Sequence, residues 1–329
     1  MSGPKMYLAK GLTDPRRLAS KASRDGFGEG LVSAAAKDKR IVAVCADLTE
    51  STRLTGFKRR FPERFVQAGV HEQLITALGA GLALAGKVPF IASFAVFCPG
   101  RSWEQVRTNI CLNQANVKIA GAHAGITVGP DGATHQATED IAIMRCLPNM
   151  TVVVPCDAEQ TRLAVPAVAR LKGPVYLRFG RPKRPVFTTS RTPFRIGRAQ
   201  PFRRGDDVAI MACGMMVHQA LLAAEELKKE GIDCTVLNIH TVKPLDEKAV
   251  IAAAKRCGAV VTAEEHQLMG GLGSVVAEAL SRHYPVPIES VGIDDRFGES
   301  GRSDELIERF GLGVRHVNQA VRRALKRKA

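Results

Sequence analysis

Aromatic side chains are scarce in this chain of 329 residues, where they make up 5% of the sequence, with one Trp and three Tyr. Glycine is frequent, at 30 residues, so close packing of helices on sheets is favoured over an aromatic-rich β-sandwich. Apolar runs of about 18 residues, the length of a membrane-spanning helix, are missing. The first residues also lack the apolar segment of a signal peptide. These absences predict a cytoplasmic globular protein.

Cysteine pairs at metal-binding spacing are also lacking, since none of the eight cysteines belongs to a CxxC motif. Most of them lie in apolar runs such as IVAVCAD and IMACGMM. In a chain that is not secreted, this pattern is typical of buried free thiols rather than of disulfides or zinc ligands. The eight positions are Cys45, Cys98, Cys111, Cys146, Cys156, Cys213, Cys234 and Cys257.

Acidic residues are few relative to basic ones, with 32 Asp and Glu against 47 Lys and Arg, which gives a net charge of +15. The excess is concentrated in the N-terminal arm through Arg24, in the segment Arg178–Arg204 and in the terminal sequence RRALKRKA. Such charge attracts nucleic acid, anionic lipid or phosphorylated small molecules. Because no nucleic-acid-reading module is recognisable and aromatics are few, a solvated basic surface is favoured over a nucleic-acid site.

Short apolar runs alternate with helical stretches almost throughout, which predicts parallel α/β architecture. The first region has candidate strands at Ile41–Ala46, Val88–Phe94, Val117–Ala122, Thr151–Pro155 and Val175–Phe179. A segment rich in Pro, Arg, Ser and Thr follows and is interpreted as a linker or a wrapping loop. The second region has strands at Asp207–Cys213, Asp233–Ile239 and Ala259–Ala263, with helices at Val217–Gly231 and Asp246–Cys257. The prediction is two doubly wound α/β domains with mainly parallel sheets, residues 1–190 and 191–329.

The segment GVHEQLITALGAGLALAG, which runs from Gly69 to Gly86, predicts an unusual helix. From Leu74 onward it is apolar on nearly all faces, so we expect it to be fully buried. Glu72 begins this helix at the edge of a hydrophobic region. Two hypotheses remain open for Glu72. It is a first-turn acid that complements the helix dipole, or a carboxyl whose pKa is raised by burial and that exchanges a proton with a bound molecule.

Two further groups of residues follow predicted strands. Phe94 and Phe97 either fill the core or form a platform for a flat heteroaromatic ligand. His123, Asp131 and His135 lie within 13 residues on a glycine-rich loop, the place where ligands bind in open α/β sheets. Imidazoles there can bond hydroxyls or phosphate and transfer protons. Their spacing is not one of the usual metal-ligand spacings, so no metal site is predicted on this chain.

Several segments carry a family resemblance. They are ASRDGFGEGL, ADLTES, FVQAGVHEQ, PFIASFAVF, AGAHAGITVGPDGATHQATEDIA, LPNMTVVVP, VYLRFGRP, VTAEEHQLMGGLGSVVAE and DDRFGESG. Together, and in this order, they resemble the C-terminal half of transketolase, the thiamine-diphosphate enzyme. The likeness runs from about residue 22 to residue 301. The block HAG…DGATHQ is its most specific part. The EQ pair before a small-residue helix is shared with the β subunits of 2-oxoacid dehydrogenases and with deoxyxylulose-phosphate synthase.

The resemblance implies a pyrimidine-binding domain to about residue 190 and a C-terminal domain after it. By the same resemblance, Glu72 bonds N1′ of the cofactor's aminopyrimidine and promotes cofactor activation, and the rings that stack on the pyrimidine are Phe97 and Phe94. His135 contacts the substrate near its reacting carbons and is the second catalytic candidate. The residues implied to hold the sugar-phosphate substrates are Arg24, Ser51, His123, Asp131, His135 and Arg178.

One family feature is missing. The family holds the cofactor's diphosphate through a metal bound by a GDG segment and a later Asn, and this chain has neither. Mg²⁺ needs oxygen ligands beside the phosphates, so we expect them on a partner chain. The chain then resembles one subunit of a split transketolase, with two copies of each chain and a homodimer-like self-association. The activity implied is transfer of a two-carbon ketol unit (glycolaldehyde transfer) between sugar phosphates, as in pentose phosphate metabolism.

Two alternatives remain. Another thiamine-diphosphate enzyme, such as a 2-oxoacid dehydrogenase or a deoxyxylulose-phosphate-synthase-like protein, has a similar β-type subunit, but the HAG to THQ block argues against it. A non-catalytic nucleic-acid-binding protein would use the net positive charge, but it leaves Glu72 and the cluster from His123 to His135 unexplained. The segment from Gly270 to Ser274 before a helix lacks the third glycine of a dinucleotide fingerprint, so it does not predict a phosphate site.

Overall fold

The computed structural model describes residues 6–12 and 14–328. The outermost residues of the basic N-terminal arm, Lys5 included, and Ala329 of the basic terminal sequence lie outside this part. The strands are β1 (Ala19–Ala22), β2 (Ile41–Cys45), β3 (Phe65–Gln67), β4 (Val88–Phe94), β5 (Lys118–Ala122), β6 (Thr151–Val153), β7 (Val175–Arg178), β8 (Lys183–Val186), β9 (Gln200–Arg203), β10 (Val208–Ala212), β11 (Cys234–Asn238), β12 (Thr241–Lys243), β13 (Val260–Gln267) and β14 (Ile288–Ile293).

The helices alternate with these strands along most of the chain. They are α1 (Ser23–Lys37), α2 (Thr55–Arg60), α3 (Glu72–Leu84), α4 (Phe97–Gly100), α5 (Trp103–Gln105), α6 (Asp140–Arg145), α7 (Ala158–Arg170), α8 (Met216–Lys229), α9 (Glu247–Cys257), α10 (Leu272–His283), α11 (Ser303–Arg309) and α12 (Val314–Lys328). A π-helical segment, Val106–Leu112, continues α5. Within the described residues, no helix combines the length and the apolar character needed to cross a membrane.

Continuous buried runs form the centre of the first sheet, whose strand order is β12-β6-β7-β5-β4-β2-β3. Every residue of β2, β4 and β5 is buried, as expected for parallel strands with helices on both faces. The second sheet has the order β14-β13-β10-β11-β9. Neighbouring strands are parallel in both sheets except at β12 and β9, which pair antiparallel at one edge of each. The predicted fold class, two doubly wound α/β domains with mainly parallel sheets, is confirmed.

The segment between β7 and β10, expected to be a linker or a wrapping loop, contains two strands. β8 pairs with β1, and β9 becomes an edge of the second sheet. The buried carboxyl of Asp157 accepts hydrogen bonds from the backbone N–H groups of Phe187 and Thr188, at 2.9 and 2.7 Å. In the other direction, β12 lies within the second region but completes the first sheet. The two regions therefore interlock, and the boundary near residue 190 stays a prediction.

The expectation that α3 is fully buried is wrong. One face of α3 packs on β4 and buries Ile75, Thr76 and Gly79. The opposite face is open in the single chain, where Leu74 is 45% exposed and Leu84 72% exposed. An all-round apolar composition shows that both faces avoid water, but it does not show that this chain covers both of them.

Most of the cysteines are buried and all eight are free, as predicted, although Cys146 is exposed. The basic side chains of α12 are partly paired within the chain. Arg322 forms an ion pair with Glu230, and Arg323 and Arg327 both pair with Glu289. Pairs this exposed stabilise a fold only slightly, but they place part of the terminal positive charge beside acidic groups of the second domain.

Candidate active site

Glu72 is the first residue of α3, and its carboxyl group is almost completely buried. The hydroxyl of Ser93, on β4, donates to its Oε1 at 3.0 Å. The guanidinium of Arg101, which follows α4, donates to its Oε2 at 3.0 Å. The carboxyl is therefore held by two side chains that follow it by 21 and 29 residues. It lies beside β4, the strand that leads into the predicted aromatic platform.

Four of the predicted site residues come together as a cluster of rings where β4 and β5 end. Phe94 and Phe97 lie nearly parallel, with ring centroids 6.1 Å apart. The ring of His123 lies on Phe94 at 4.0 Å, and His135 meets Phe97 edge-on at 5.4 Å. Neighbouring parallel strands end at the same edge of a sheet, so two loops that are distant in sequence meet here.

The electrostatic setting of His123 keeps its imidazole neutral. Burial lowers the pKa of His123 to about 3, and the positive charges of Arg24 and Arg181 act in the same direction. Its Nδ1 is buried and has no hydrogen-bond partner among residues 6–12 and 14–328. Buried polar atoms are rarely left unpaired in folded proteins. The orphaned nitrogen therefore marks His123 as a candidate ligand contact.

A cavity of about 230 Å³ lined by basic side chains lies at the same sheet edge. Its wall includes Arg24, Arg53, Arg181 and Lys183. Arg24 donates to the backbone carbonyl of Ser51 at 3.1 Å, while its buried Nε has no partner in the described part of the chain. Burial lowers the pKa of Arg24, and the charge of Arg53 adds to this effect. An excess of positive charge with unused donors is suited to binding an anion.

The acidic groups around this cavity only partly balance its charge. Asp131, the predicted substrate contact on the glycine-rich loop, lies 3.6 Å from Arg181. Asp25 pairs with Arg53 at 2.6 Å. Arg53 has a φ of 63°, a backbone conformation that non-glycine residues rarely adopt and that is often found at functional sites.

Arg178, the second arginine predicted to hold a substrate phosphate, has other partners in the structure. Arg178 is the last residue of β7, a fully buried strand, and its Nε donates to Asp140 at 2.7 Å. Its Nη2 donates to the same carboxyl and to the backbone carbonyls of Ala137 and Glu265. Burial raises the pKa of Asp140, but the charge and the hydrogen bonds of Arg178, together with smaller contributions from neighbouring groups, outweigh burial and hold that pKa below its usual value. The guanidinium is therefore committed to a structural ion pair.

Sequence reasoning missed Arg181, Arg53 and Lys183. Arg181 follows Arg178 by three residues in the motif RFGRP, and it reaches the cavity because it lies beyond the end of β7. A residue inside a central strand is enclosed by its neighbours, whereas one just past the carboxyl end can face a ligand. The exact end of β7 was therefore the signal that separates the two arginines.

In the glycine-rich segment from Gly270 to Ser274, backbone N–H groups that could bind a phosphate already donate to a side chain. The carboxyl of Glu264 accepts the backbone N–H groups of Leu272 and Gly273, at 2.6 and 2.7 Å, at the start of α10. A phosphate would have to displace this side chain, so the segment is not a phosphate site. Among the residues that the structure describes, no group of three or more His, Cys, Asp or Glu side chains could hold a metal ion.

Comparisons with known proteins show the family of the chain. The family model described as "Transketolase, pyrimidine binding domain" matches residues 19–185, and "Transketolase, C-terminal domain" matches residues 197–317. The chain belongs to the transketolase family. This family membership implies dependence on thiamine diphosphate, and it does not favour the 2-oxoacid dehydrogenase or nucleic-acid alternatives.

Several relatives of this transketolase chain are separate subunits. The 6-deoxy-6-sulfo-D-fructose transketolase subunit SqwH of Clostridium sp. (strain MSTE9) is 44% identical over 93% of this chain and 95% of that protein. An apulose-4-phosphate transketolase subunit of Phocaeicola vulgatus is 40% identical over 88% of this chain and 93% of that protein.

A solved structure described as a split gene transketolase, inactive beta4 tetramer, has a TM-score of 0.88. It is 46% identical and covers 94% of this chain and 99% of its own. The chain is thus a transketolase subunit similar over nearly its whole length to split-gene subunits. A transketolase of Campylobacter jejuni, 24% identical with a TM-score of 0.78, shows the same fold over 48% of its length.

Proposed function

We propose that this chain supplies the pyrimidine half of a thiamine-diphosphate site. Together with a partner chain that carries the diphosphate-binding domain and the Mg²⁺ ligands, it transfers a two-carbon ketol unit between anionic sugars such as sugar phosphates. The observation that carries the proposal is the buried carboxyl of Glu72, whose partner Arg101 also lies against the ring of Phe97, at the start of a helix whose outer face is exposed and apolar.

The residues present fit an aminopyrimidine ring. A ring nitrogen needs a carboxyl that can share a proton, and Oε2 of Glu72 is held by an exposed arginine that can move away. A flat ring also needs an apolar face, which Phe97 and Phe94 provide. When bound, thiamine diphosphate supplies the thiazolium carbon to which the two-carbon unit is attached. Glu72 would hold or release a proton at Oε2, and Ser93 would fix the direction of its carboxyl through Oε1.

The basic cavity supports an anionic sugar as the substrate. Arg24, Arg53, Arg181 and Lys183 would bind the charged end of the sugar, since Arg offers paired donors to phosphate or sulfonate oxygens. His123 would donate or accept a hydrogen bond at its unpaired Nδ1 as a neutral ring. His135, on the other side of the phenylalanine rings, would move a proton near the reacting carbons. The names of two relatives, which include a sulfonated sugar and a sugar phosphate, agree with this substrate class.

The open face of α3 supports the partner chain. Leu74 and Leu84 on α3 are exposed together with the nearby hydrophobic residues Val70 and Leu112. Apolar surface of this kind beside a functional site marks a protein interface. A diphosphate-binding chain docked there would cover α3 and close the cofactor site from the side of Glu72. Two copies of each chain would follow if the assembly is a closed symmetric one.

Expression of the chain alone and with its partner tests this proposal. The chain alone, supplied with thiamine diphosphate and Mg²⁺, is expected to fold but to show negligible ketol transfer, because half of the cofactor site is missing. Adding the partner chain should create activity with phosphorylated sugars. The matched control is the partner alone under the same conditions. Robust ketol transfer by the isolated chain would contradict the proposal.

A further inference from the structure

Arg101 makes two contacts with the proposed cofactor site that its sequence position did not predict. Its Nη1 lies 3.0 Å from Oε2 of Glu72, and its guanidinium carbon lies 5.1 Å from the centre of the Phe97 ring. The two ends of this ion pair differ in exposure, because the side chain of Arg101 is 52% exposed and that of Glu72 only 2%. Arg101 thus reaches from the surface onto a buried carboxyl.

These two contacts are the ones that an aminopyrimidine ring would need. A guanidinium is flat, carries N–H donors along its edge and packs on aromatic faces, so it presents the same kind of group to Glu72 and Phe97 as a bound ring would. The other oxygen, Oε1, is occupied by the fully buried hydroxyl of Ser93. Oε2 is therefore the oxygen that a ligand and Arg101 would share.

We propose that Arg101 is a placeholder for the pyrimidine ring. It pairs with Glu72 in the cofactor-free protein and moves out toward solvent when the ring enters. This inference rests on the proposed function, and it adds a positioning residue that competes with the cofactor. The placeholder has a physical purpose, because a buried carboxyl without any partner is costly. The protein can then lose its cofactor without leaving Glu72 unpaired.

The exposure of Arg101 makes its displacement feasible. An ion pair with one half-exposed member is worth little, and the guanidinium can be hydrated again once it leaves. The cofactor nevertheless binds only to the fraction of molecules in which Oε2 is uncovered, and its apparent affinity falls by that fraction. Removing the placeholder should therefore tighten cofactor binding.

The test uses the complex assembled with the partner chain and measures the dissociation constant of thiamine diphosphate by calorimetry at saturating Mg²⁺. Arg101→Gln is expected to tighten binding about three- to tenfold. The substitution also removes a positive charge, which by itself would weaken binding of an anionic cofactor, so net charge cannot explain tightening. The matched control is Arg107→Gln, at an exposed arginine in the following π-helical segment, which should leave affinity unchanged or slightly weaker.

A second pair of variants, with and without Arg101→Gln in complexes that also carry Glu72→Gln, separates competition at Glu72 from a general effect on the site. In complexes that carry Glu72→Gln, the ion pair is already lost, so adding Arg101→Gln should give no further tightening. Unchanged or weaker binding of thiamine diphosphate to the single variant Arg101→Gln would overturn the placeholder. Weaker binding would show instead that Arg101 contributes to holding the bound cofactor in the holoenzyme. Failure of thiamine diphosphate to bind to the wild-type complex would instead overturn the proposed function.

Discussion

Glu72 begins α3 and its carboxyl is buried, so both hypotheses about its role stay open. A carboxyl that only complements the helix dipole can be replaced by an amide at small cost. A carboxyl that exchanges a proton with a ring nitrogen cannot, because an amide does not titrate. The two roles are therefore separable by one substitution that keeps the size of the side chain.

Glu72→Gln in the assembled complex is expected to leave folding intact and weaken cofactor binding modestly. It should slow hydrogen–deuterium exchange at the thiazolium C2 by at least about 10²-fold. The exchange rate can be followed by NMR on samples quenched at increasing times. If Glu72 acts only on the helix dipole, stability should fall by only about 0.3–1 kcal/mol and exchange should keep its wild-type rate.

The arginines of RFGRP offer a matched pair of substitutions three residues apart. Arg181→Ala should raise KM for phosphorylated sugars about tenfold to a hundredfold, because a charge-assisted hydrogen bond is worth about 1.5–3 kcal/mol. Arg24→Ala should act in the same way. Unphosphorylated analogues should be barely affected, which steady-state kinetics with both substrate types will show.

Arg178→Ala should instead reduce the free energy of unfolding by about 3–5 kcal/mol, because it leaves the carboxyl of Asp140 buried and unpaired. Chemical denaturation of the single chain measures this loss without any substrate. A normal unfolding curve for Arg178→Ala, or equal kinetic damage to both substrate types by Arg181→Ala, would show that the two arginines have been assigned in the wrong way.

At the scale of elements, the two faces of α3 have different environments. Its inner face packs on β4 and positions Glu72, whereas its outer face carries apolar side chains into solvent. A helix can be apolar all round in this way when a second chain covers the remaining face. In the proposed function, assembly and catalysis would be linked through one helix, because the same element presents the carboxyl and the proposed docking surface.

Leu84→Lys should weaken association with the partner chain at least about tenfold, since it places a charge in the proposed interface. The helix itself should tolerate the change, because a cation near its C-terminus is favourable. Ala252→Lys, at an exposed position on α9, is the control and should leave association unchanged. Analytical ultracentrifugation of mixtures with the partner measures both. Equal association of the Leu84 variant and the control with the partner would show that Leu84 on α3 is not part of the interface.

At the scale of the whole molecule, the joint between the two regions contains a buried histidine. His240 precedes β12, the strand that the second region contributes to the first sheet, and its ring lies 4.4 Å from that of Phe194 in the connecting segment. Its Nε2 is buried and unpaired within the described residues. Burial lowers the pKa of His240 from 6.5 to about 4. Protonation of this ring therefore destabilises the packing between the two regions.

The sign of the pH dependence follows from this lowered pKa. Below about pH 6.5 the unfolded chain binds a proton at His240 that the folded protein does not, so stability is lost as the pH falls toward about 4. The contribution of this ring is about 3 kcal/mol at most. His240→Phe keeps a ring on Phe194 and removes the titration. The loss of stability between about pH 7 and about pH 5 should be smaller in this variant, as measured by denaturant unfolding. Equal losses would exclude His240 as a source.

The sequence by itself determined the α/β class, most central strands and the candidate residues that lie directly at element ends. Buried parallel strands are continuous apolar runs, so β2, β4 and β10 could be predicted from the order of apolar residues along the chain. Glu72, Phe94, Phe97 and His123 were also readable, because each stands at a helix start or where a strand ends, and His135 was readable because it lies on the glycine-rich loop after β5. Their roles in the proposed reaction stay predictions.

Only the tertiary structure decided which charged side chains share a cavity and which surfaces stay open. Arg24, Arg53 and the neighbours Arg181 and Lys183 come from three segments that meet through the parallel sheet and the β1–β8 pair, and no local pattern encodes that meeting. Burial of Arg178 depended on where β7 ends. The exposure of α3 depended on how much surface the rest of the chain can cover, because periodicity records that a face avoids water but not which chain covers it.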